Sequence, residues 1–175
     1  HVLPHMDPVY TISIIPTGMG AAGYTMPLPD NDEMFNTKNK MLEDITTLLG
    51  GRVAEEIIFG DITTGASNDI KRATETARSM VMKYGMSEKI GLIAYGNDDD
   101  EVFIGRDLAH TRGYSEEVAR EIDGEISRII RECHENAESI IRENIGVLHS
   151  CAALLLEKEK IHREEFEALF TTEKE

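Results

Sequence analysis

Apolar residues recur at three- and four-residue steps along most of this 175-residue chain. Such spacing places them on one face of an α-helix, which can then be buried. Helices are therefore predicted at Thr37–Phe59, Ser67–Tyr84, Ser115–Asn144, Val147–Lys158 and Glu164–Phe170. The long helix from Ser115 and its returning partner predict an antiparallel hairpin at the C-terminal end. The fold class is mainly α.

Strand patterns are short and few. Val9–Ile15 is rich in β-branched residues, and Gly23–Met26 forms a second short candidate. Together they predict a small β element near the N-terminus. Ile90–Tyr95 and Val102–Ile104 predict a further strand pair. Inside the first helix, Gly50–Gly51 costs helix stability, which predicts a close backbone approach or a bend there.

The chain is strongly acidic, with a formal net charge of -15. A surface of this sign repels the phosphate backbone of nucleic acids and the anionic surface of a membrane. No run of about eighteen apolar residues is present, so we expect a soluble segment without direct membrane contact. Cys133 and Cys151 lie among apolar neighbours in helical patterns, which favours buried, reduced thiols.

Common catalytic motifs are absent: the sequence has no GxSxG elbow, no P-loop, no GxGxxG after a strand and no HExxH. One unusual segment is Thr63–Asp69, TTGASND, a polar loop that leads into a helix. It has two interpretations. Ser67 or Asn68 caps the helix while Asp69 complements its dipole, or Asp69 is a rigid oxygen ligand for a metal.

Five segments together resemble the peptidase domain of the FtsH-type (M41) zinc metalloproteases. The longest is residues 48–88, LLGGRVAEEIIFGDITTGASNDIKRATETARSMVMKYGMSE. The others are DPVYTISIIPTG (7–18), AAGYTMPLP (21–29), RGYSEEVAREID (112–123) and LLLEKEKI (154–161). The resemblance covers nearly the whole chain in order. It implies a peptidase domain with a zinc-site core in residues 1–113 and the helical hairpin in residues 114–175.

The resemblance assigns roles to a few positions. Asp69 matches the third zinc ligand of the family, and Glu55 matches a glutamate that supports a zinc-bound histidine. Gly23, Tyr24, Thr25 and Met26 resemble the segment beside the substrate cleft, where an extended polypeptide adds as a strand. The HExxH helix of the family lies immediately before the stretch matched by His1–Pro4. No catalytic residue is therefore expected in this chain, because both histidine ligands and the general-base glutamate lie upstream.

A hydrolytic zinc site needs three protein ligands and an open position for water. Because Asp69 is a single oxygen ligand, we expect these residues alone to bind no zinc tightly and to cleave no peptide. The parent protein implied by the resemblance is an ATP-dependent zinc endopeptidase that degrades unfolded and membrane proteins processively. Its ATP is bound by an upstream AAA module, and its subunits form a homo-hexamer.

The resemblance also implies upstream transmembrane segments that hold the parent at the cytoplasmic face of a bacterial plasma membrane. Two alternatives remain open. One is a family member that has lost HExxH and serves as a scaffold in a hexameric assembly. The other is an unrelated acidic helical adaptor, which requires the long matching segment at residues 48–88 to be a coincidence.

Overall fold

A computed structural model describes residues 1–16, 23–29, 34–95 and 114–172 of the chain. Within them the elements are β1 (Val9–Ser13), β2 (Tyr24–Pro27), α1 (Lys38–Phe59), α2 (Ser67–Met82), α3 (Glu116–Glu143), α4 (Ile145–Lys158), β3 (Lys160–His162) and α5 (Arg163–Thr172). The predicted mainly helical fold, with a small sheet near the N-terminus and a helical C-terminal region, is confirmed.

The chain forms two compact units. One, the helical unit, is Thr37–Ala137; the other, the sheet unit, combines His1–Asn36 with Glu138–Glu175. Assignment of zinc-site functions to residues 1–113 stays a prediction.

The helical unit has a continuous apolar core. The predicted stripes of α1, α2 and α3 supply most of it, and these residues are almost inaccessible to solvent: Ile45, Leu49, Ala73, Ala77, Met80, Val81, Ile122, Ile126, Ile129 and Cys133. Burial of this kind contributes about 25 cal/mol for each Å² of apolar surface removed from water. This core therefore fixes the helices that carry the candidate site.

Helix boundaries in this unit follow local signals. The Thr37 hydroxyl accepts a hydrogen bond from the Lys40 N–H (3.2 Å), and the Ser115 hydroxyl accepts one from the Val118 N–H (3.3 Å). Satisfying free N–H groups in this way defines a helix start. Gly60 ends α1 in the left-handed conformation, with φ of 64°. The ends of α1 and α3 lie within one residue of the predicted ranges Thr37–Phe59 and Ser115–Asn144.

The close approach at Gly50–Gly51 and a strand at Ile90–Tyr95 are the two expectations that the helical unit contradicts. A Cβ added at Gly50 or Gly51 would meet nothing within 4 Å, so neither glycine serves a close backbone approach within the described structure; α1 continues through both, and the alternative of a bend there stays a prediction. Ile90–Tyr95 is irregular rather than a strand. The Tyr95 N–H donates to the Met82 carbonyl (2.8 Å), which ties the segment to the end of α2 instead. Its predicted partner, Val102–Ile104, lies outside the described residues.

The sheet unit contains a three-stranded antiparallel sheet in the order β2-β1-β3. Ile12 pairs with Ile161, and the side chain of Ile161 is fully buried against Cys151 and Leu155. The buried Thr11 hydroxyl donates to the Ile161 carbonyl (3.0 Å). Main-chain and side-chain hydrogen bonds therefore supplement a small apolar core.

Helices α3 and α4 form the predicted helical C-terminal region, and their antiparallel arrangement stays a prediction. Across the described parts of the chain, no single helix is long and apolar enough to span a bilayer; the bent α3–α4 pair passes that test only when the two helices are taken together. Cys133 and Cys151 are buried and free, as expected, and burial raises the pKa of both thiols.

Candidate functional site

The candidate site is built on the junction between α1 and α2, inside the helical unit. The N–H of Gly60 donates to the Glu56 carbonyl (3.2 Å), and its left-handed conformation turns the chain out of α1. Glycine adopts this conformation without steric cost, which makes it a common helix terminator. The six residues that follow, 61–66, form the loop that leads into α2.

One turn of α1 holds this loop through Thr63. Arg52 and Glu55 are three residues apart and share a helix face. The Thr63 hydroxyl donates to Glu55 Oε1 (2.6 Å), and the Thr63 N–H donates to Glu55 Oε2 (3.2 Å). Arg52 Nη2 donates to the Thr63 carbonyl (2.8 Å). The hydroxyl, the N–H and the carbonyl of one loop residue are therefore all bound by α1.

Charge in this cluster is arranged to favour an ionised Glu55. The hydroxyl of Thr63 lowers the pKa of Glu55 most, followed by the Thr63 N–H and the positive charge of Arg52, while burial opposes them. Arg52 Nη1 lies 3.5 Å from Glu55 Oε2 and is buried, with no hydrogen-bond acceptor among the residues that the structure describes. Both carboxylate oxygens of Glu55 thus face the loop and its neighbouring guanidinium.

Gly65 allows the loop to pass close to this cluster. Its N–H donates to the Thr63 hydroxyl (3.1 Å). A Cβ at this position would lie 3.2 Å from Thr63 Oγ1 and 3.8 Å from Glu55 Oε1. The first of these distances is tighter than ordinary van der Waals contact, so the glycine in GASND keeps this approach free of strain.

Asp69 lies in the first turn of α2, where a carboxylate complements the positive end of the helix dipole. Its side chain is 45% exposed, and Arg72 Nη1 approaches Oδ1 only to 4.0 Å. The predicted N-cap at Ser67 or Asn68 is wrong. Ala66 occupies the cap position and α2 has no side-chain cap bond. Asp69 is therefore an accessible carboxylate at a defined helix position.

These residues do not amount to a zinc site by themselves. Among the residues that the structure describes, no group of three His, Cys, Asp or Glu side chains is placed to hold a metal ion. Zinc sites in proteins have three or four such ligands. Asp69 supplies one accessible oxygen, and the oxygens of Glu55 are directed at Thr63. No hydrolytic step is assigned to this chain's own residues.

The predicted substrate segment forms the edge of the sheet in the sheet unit. Residues of β2 are exposed, and among the described strands only β1 pairs with it, on one side. Gly23 precedes β2, and a Cβ there would lie 2.3 Å from the Ser13 carbonyl oxygen. Only glycine fits where the chain enters the strand this close to β1.

Comparison with known proteins identifies the family. The model of peptidase family M41 matches residues 1–169. The chain belongs to peptidase family M41. It is 54% identical over 172 residues to the ATP-dependent zinc metalloprotease FtsH 1 of Thermoanaerobacter sp. (strain X514), a match that covers 98% of this chain and 28% of that protein.

Two further relatives carry the name ATP-dependent zinc metalloprotease FtsH. That of Caldicellulosiruptor bescii is 54% identical over 168 residues, which is 96% of this chain and 27% of that protein. That of Thermotoga maritima is 48% identical over 172 residues, which is 98% of this chain and 28% of that protein. The M41 chain therefore spans only about a quarter of the length of the curated relatives it matches.

Sequence reasoning missed two members of the candidate site in this M41 chain. Arg52 and Thr63 contribute to it through a helix face and a loop contact eleven residues apart. The only available signal was the spacing of Arg52 and Glu55 by three residues, which is common on solvated helices. Thr63, in the loop, belongs to no comparable spacing pattern.

A second polar cluster in the helical unit is structural. The carboxylate of Glu125 is buried; Ser87 Oγ donates to it (2.6 Å), and Arg128 Nε and Nη2 donate to it at 3.1 Å each. Arg128 also donates to Glu132 (2.7 Å). Because both oxygens of Glu125 already accept hydrogen bonds from within the unit, the cluster serves the packing of α3.

Proposed function

We propose that this chain is the peptidase part of an ATP-dependent zinc metalloendopeptidase that degrades unfolded and membrane polypeptides processively. The observation that carries the proposal is an accessible Asp69 carboxylate at the start of α2, in a chain that the M41 family model matches over residues 1–169. Relatives named as zinc metalloproteases agree in this region at about half of their positions.

In this proposal Asp69 is a zinc ligand, and the other ligands come from an HExxH helix that is not within these 175 residues. The Asp69 carboxylate suits this role because α2 packs into the apolar core, and among the described residues Asp69 makes only one long ion pair, to Arg72. Glu55 supports a zinc-bound histidine in the same scheme, a task for which each of its oxygens retains a further acceptor site.

Substrate binding is assigned to β2. The side of β2 that no described strand pairs with offers main-chain N–H and C=O groups to an extended polypeptide, which gains affinity without dependence on sequence. Gly23, Tyr24, Thr25 and Met26 would contact the substrate. Such a mode suits an enzyme that degrades many unfolded chains, because main-chain groups are common to all of them.

The remaining parts of the proposal concern the longer protein. ATP is bound by an upstream AAA module, the subunits form a homo-hexamer, and upstream transmembrane segments hold the assembly at the cytoplasmic face of a bacterial plasma membrane. The relatives' names support the dependence on ATP and zinc. These 175 residues alone are expected to bind no zinc tightly and to cleave no peptide, because the described residues contain no three-ligand group.

The deciding experiment replaces Asp69 in the longest natural chain that contains these residues. Asp69→Asn should lower zinc content and casein cleavage together. The loss should exceed the roughly 10- to 100-fold loss that follows substitution of a residue that hydrogen-bonds to a metal ligand. Asp61→Asn is the matched control, since within the described structure the Asp61 carboxylate accepts a local hydrogen bond from the Ile62 N–H (2.7 Å) on the same loop.

Two results contradict the proposal. Full activity of Asp69→Asn would remove Asp69 from the zinc site. A natural parent that holds no zinc and cleaves no casein would favour the scaffold alternative instead, in which the domain serves only the assembly.

A further inference from the structure

The start of α2 is held in place from α1 rather than by a cap of its own. Ala66 has no side chain that can accept a hydrogen bond, and the first turn contains no side-chain cap. Capping residues ordinarily stabilise a helix start. At this junction the Ser67 N–H donates to the Thr64 carbonyl (3.1 Å), so the helix start depends on the loop before it.

That loop is itself anchored at one residue. Three groups of Thr63 are bound by Arg52 and Glu55, on a single turn of α1. We use the name Thr63 clamp for these three residues. The Thr63 hydroxyl has two partners, since it donates to Glu55 and accepts from the Gly65 N–H (3.1 Å). A chain of hydrogen bonds thus runs from α1 through Thr63 to Gly65, two residues before α2.

Charge strengthens the clamp. Hydrogen bonds to an ionised carboxylate or from a guanidinium are shorter and about twice as strong as neutral ones. Glu55 is 22% exposed and Arg52 is 13% exposed, so water competes with these bonds only partly. The Arg52 guanidinium is oriented by its bond to the Thr63 carbonyl (2.8 Å) and by the Glu55 carboxylate 3.5 Å from Nη1.

We infer that the Thr63 clamp positions Asp69. Arg52 and Glu55 are positioning residues that fix the loop 61–66, and through it the first turn of α2 and its carboxylate. The inference rests on the proposed role of Asp69 as a zinc ligand. It gives Glu55 a task that does not require contact with a zinc-bound histidine, namely holding Thr63.

A double-mutant cycle tests the inference in the longest natural chain that contains these residues. Thr63→Val keeps the shape of the side chain but removes the hydroxyl, and Glu55→Gln places an amide donor against the donors of Thr63. Each should lower zinc retention against a chelator by about 10-fold. The double variant should be no worse than the more damaging single variant, because both changes break the same link.

Conservative and matched variants separate positioning from general damage. Thr63→Ser restores the hydroxyl and should restore zinc retention. Thr64→Val and Glu56→Gln alter the neighbouring threonine and the neighbouring carboxylate, which contacts His134 instead (3.1 Å), and should leave zinc retention unchanged. Amide hydrogen exchange gives a readout independent of zinc: the amides of Thr63 and Gly65 should exchange faster in Glu55→Gln than in Glu56→Gln.

Three outcomes overturn the inference. Zinc retention by Thr63→Val equal to that of the wild type would show that the loop anchor is irrelevant to the site. If the losses of zinc retention in Glu55→Gln and Thr63→Val multiplied in the double variant, Glu55 would act by a route other than Thr63. Both results leave the proposed function intact when Asp69→Asn still abolishes zinc binding, whereas a zinc-binding Asp69→Asn variant overturns the proposed function and the inference together.

Discussion

The two compact units are stabilised in different ways. The helical unit buries a broad layer of aliphatic side chains from three helices, whereas the sheet unit has a small core around Ile161 and depends more on hydrogen bonds such as that from Thr11. The candidate ligand Asp69 lies in the first unit and the candidate substrate strand β2 in the second. A metal ligand needs a fixed position, while a strand edge that accepts many polypeptides can tolerate adjustment.

The largest effect is expected from the core of the helical unit. Ile45 is fully buried, so Ile45→Ala removes apolar contacts and leaves a cavity. The free energy of unfolding should fall by about 3 kcal/mol, measured by urea titration. Leu156→Ala is the control, because Leu156 is 79% exposed and should change little. A loss below about 1 kcal/mol for Ile45→Ala would mean that this core is not close-packed.

An intermediate effect is expected from the buried carboxylate of the same unit, and it should depend on pH. Hydrogen bonds from Arg128, and then from Ser87, hold the pKa of Glu125 below its ordinary value of 4.5 although burial opposes them. A carboxyl group whose pKa is lower in the folded than in the unfolded state stabilises the fold at pH values above its unfolded-state pKa. This stabilisation is lost as the pH falls through the folded-state pKa.

Glu125→Gln should therefore lower the free energy of unfolding by about 2 kcal/mol near neutral pH, because a buried, charge-assisted set of bonds is lost. The difference between variant and wild type should shrink once the pH falls below 4.5. Urea titrations across that range measure it. A difference independent of pH would show that the ionised carboxylate is not what Ser87 and Arg128 stabilise.

The smallest effect is expected in the sheet unit. Thr11 is 1% exposed and its hydroxyl donates to the Ile161 carbonyl. Thr11→Val keeps the shape and the strand preference but removes this bond, which should cost about 1 kcal/mol. Thr11→Ser, which retains the donor, is the matched comparison in the same unfolding assay. If Thr11→Val were as stable as the wild type, hydrogen bonding would not distinguish the sheet unit from the helical unit.

Helices in this chain were predictable because their signals are local. The periodic apolar positions of α1, α2 and α3, the caps at Thr37 and Ser115 and the stop at Gly60 all act within a few residues. Strand β3 was not predicted: Lys160–His162 is only three residues long, and it becomes a strand because β1, far away in sequence, pairs with it. Pairing of that kind has no signature in a short segment.

The candidate site was predictable only in part. The family resemblance marks Asp69 and Glu55, but neither residue's neighbours follow from sequence spacing. The N-cap was assigned to Ser67 or Asn68 because those residue types favour caps, yet the chain holds the helix start through Thr63 instead. Gly50–Gly51 was expected to serve a close approach, and the described structure leaves open space there. At the start of α2, contacts from α1 to Thr63 replace the cap that local preference favours, whereas at Gly50–Gly51 no described neighbour makes use of the missing side chain.

The exposed edge of β2 also bears on how copies of this chain behave when concentrated. An open strand edge can pair with the same edge of another copy and seed aggregation. Because the Leu28 N–H donates inward to the Pro8 carbonyl (3.0 Å) and successive N–H groups alternate, position 27 faces outward. Pro27 has no main-chain N–H at this position. A second copy that paired with this short edge would therefore lack one of the hydrogen-bond donors of the strand. Pro27 thus opposes pairing between the β2 edges of two copies.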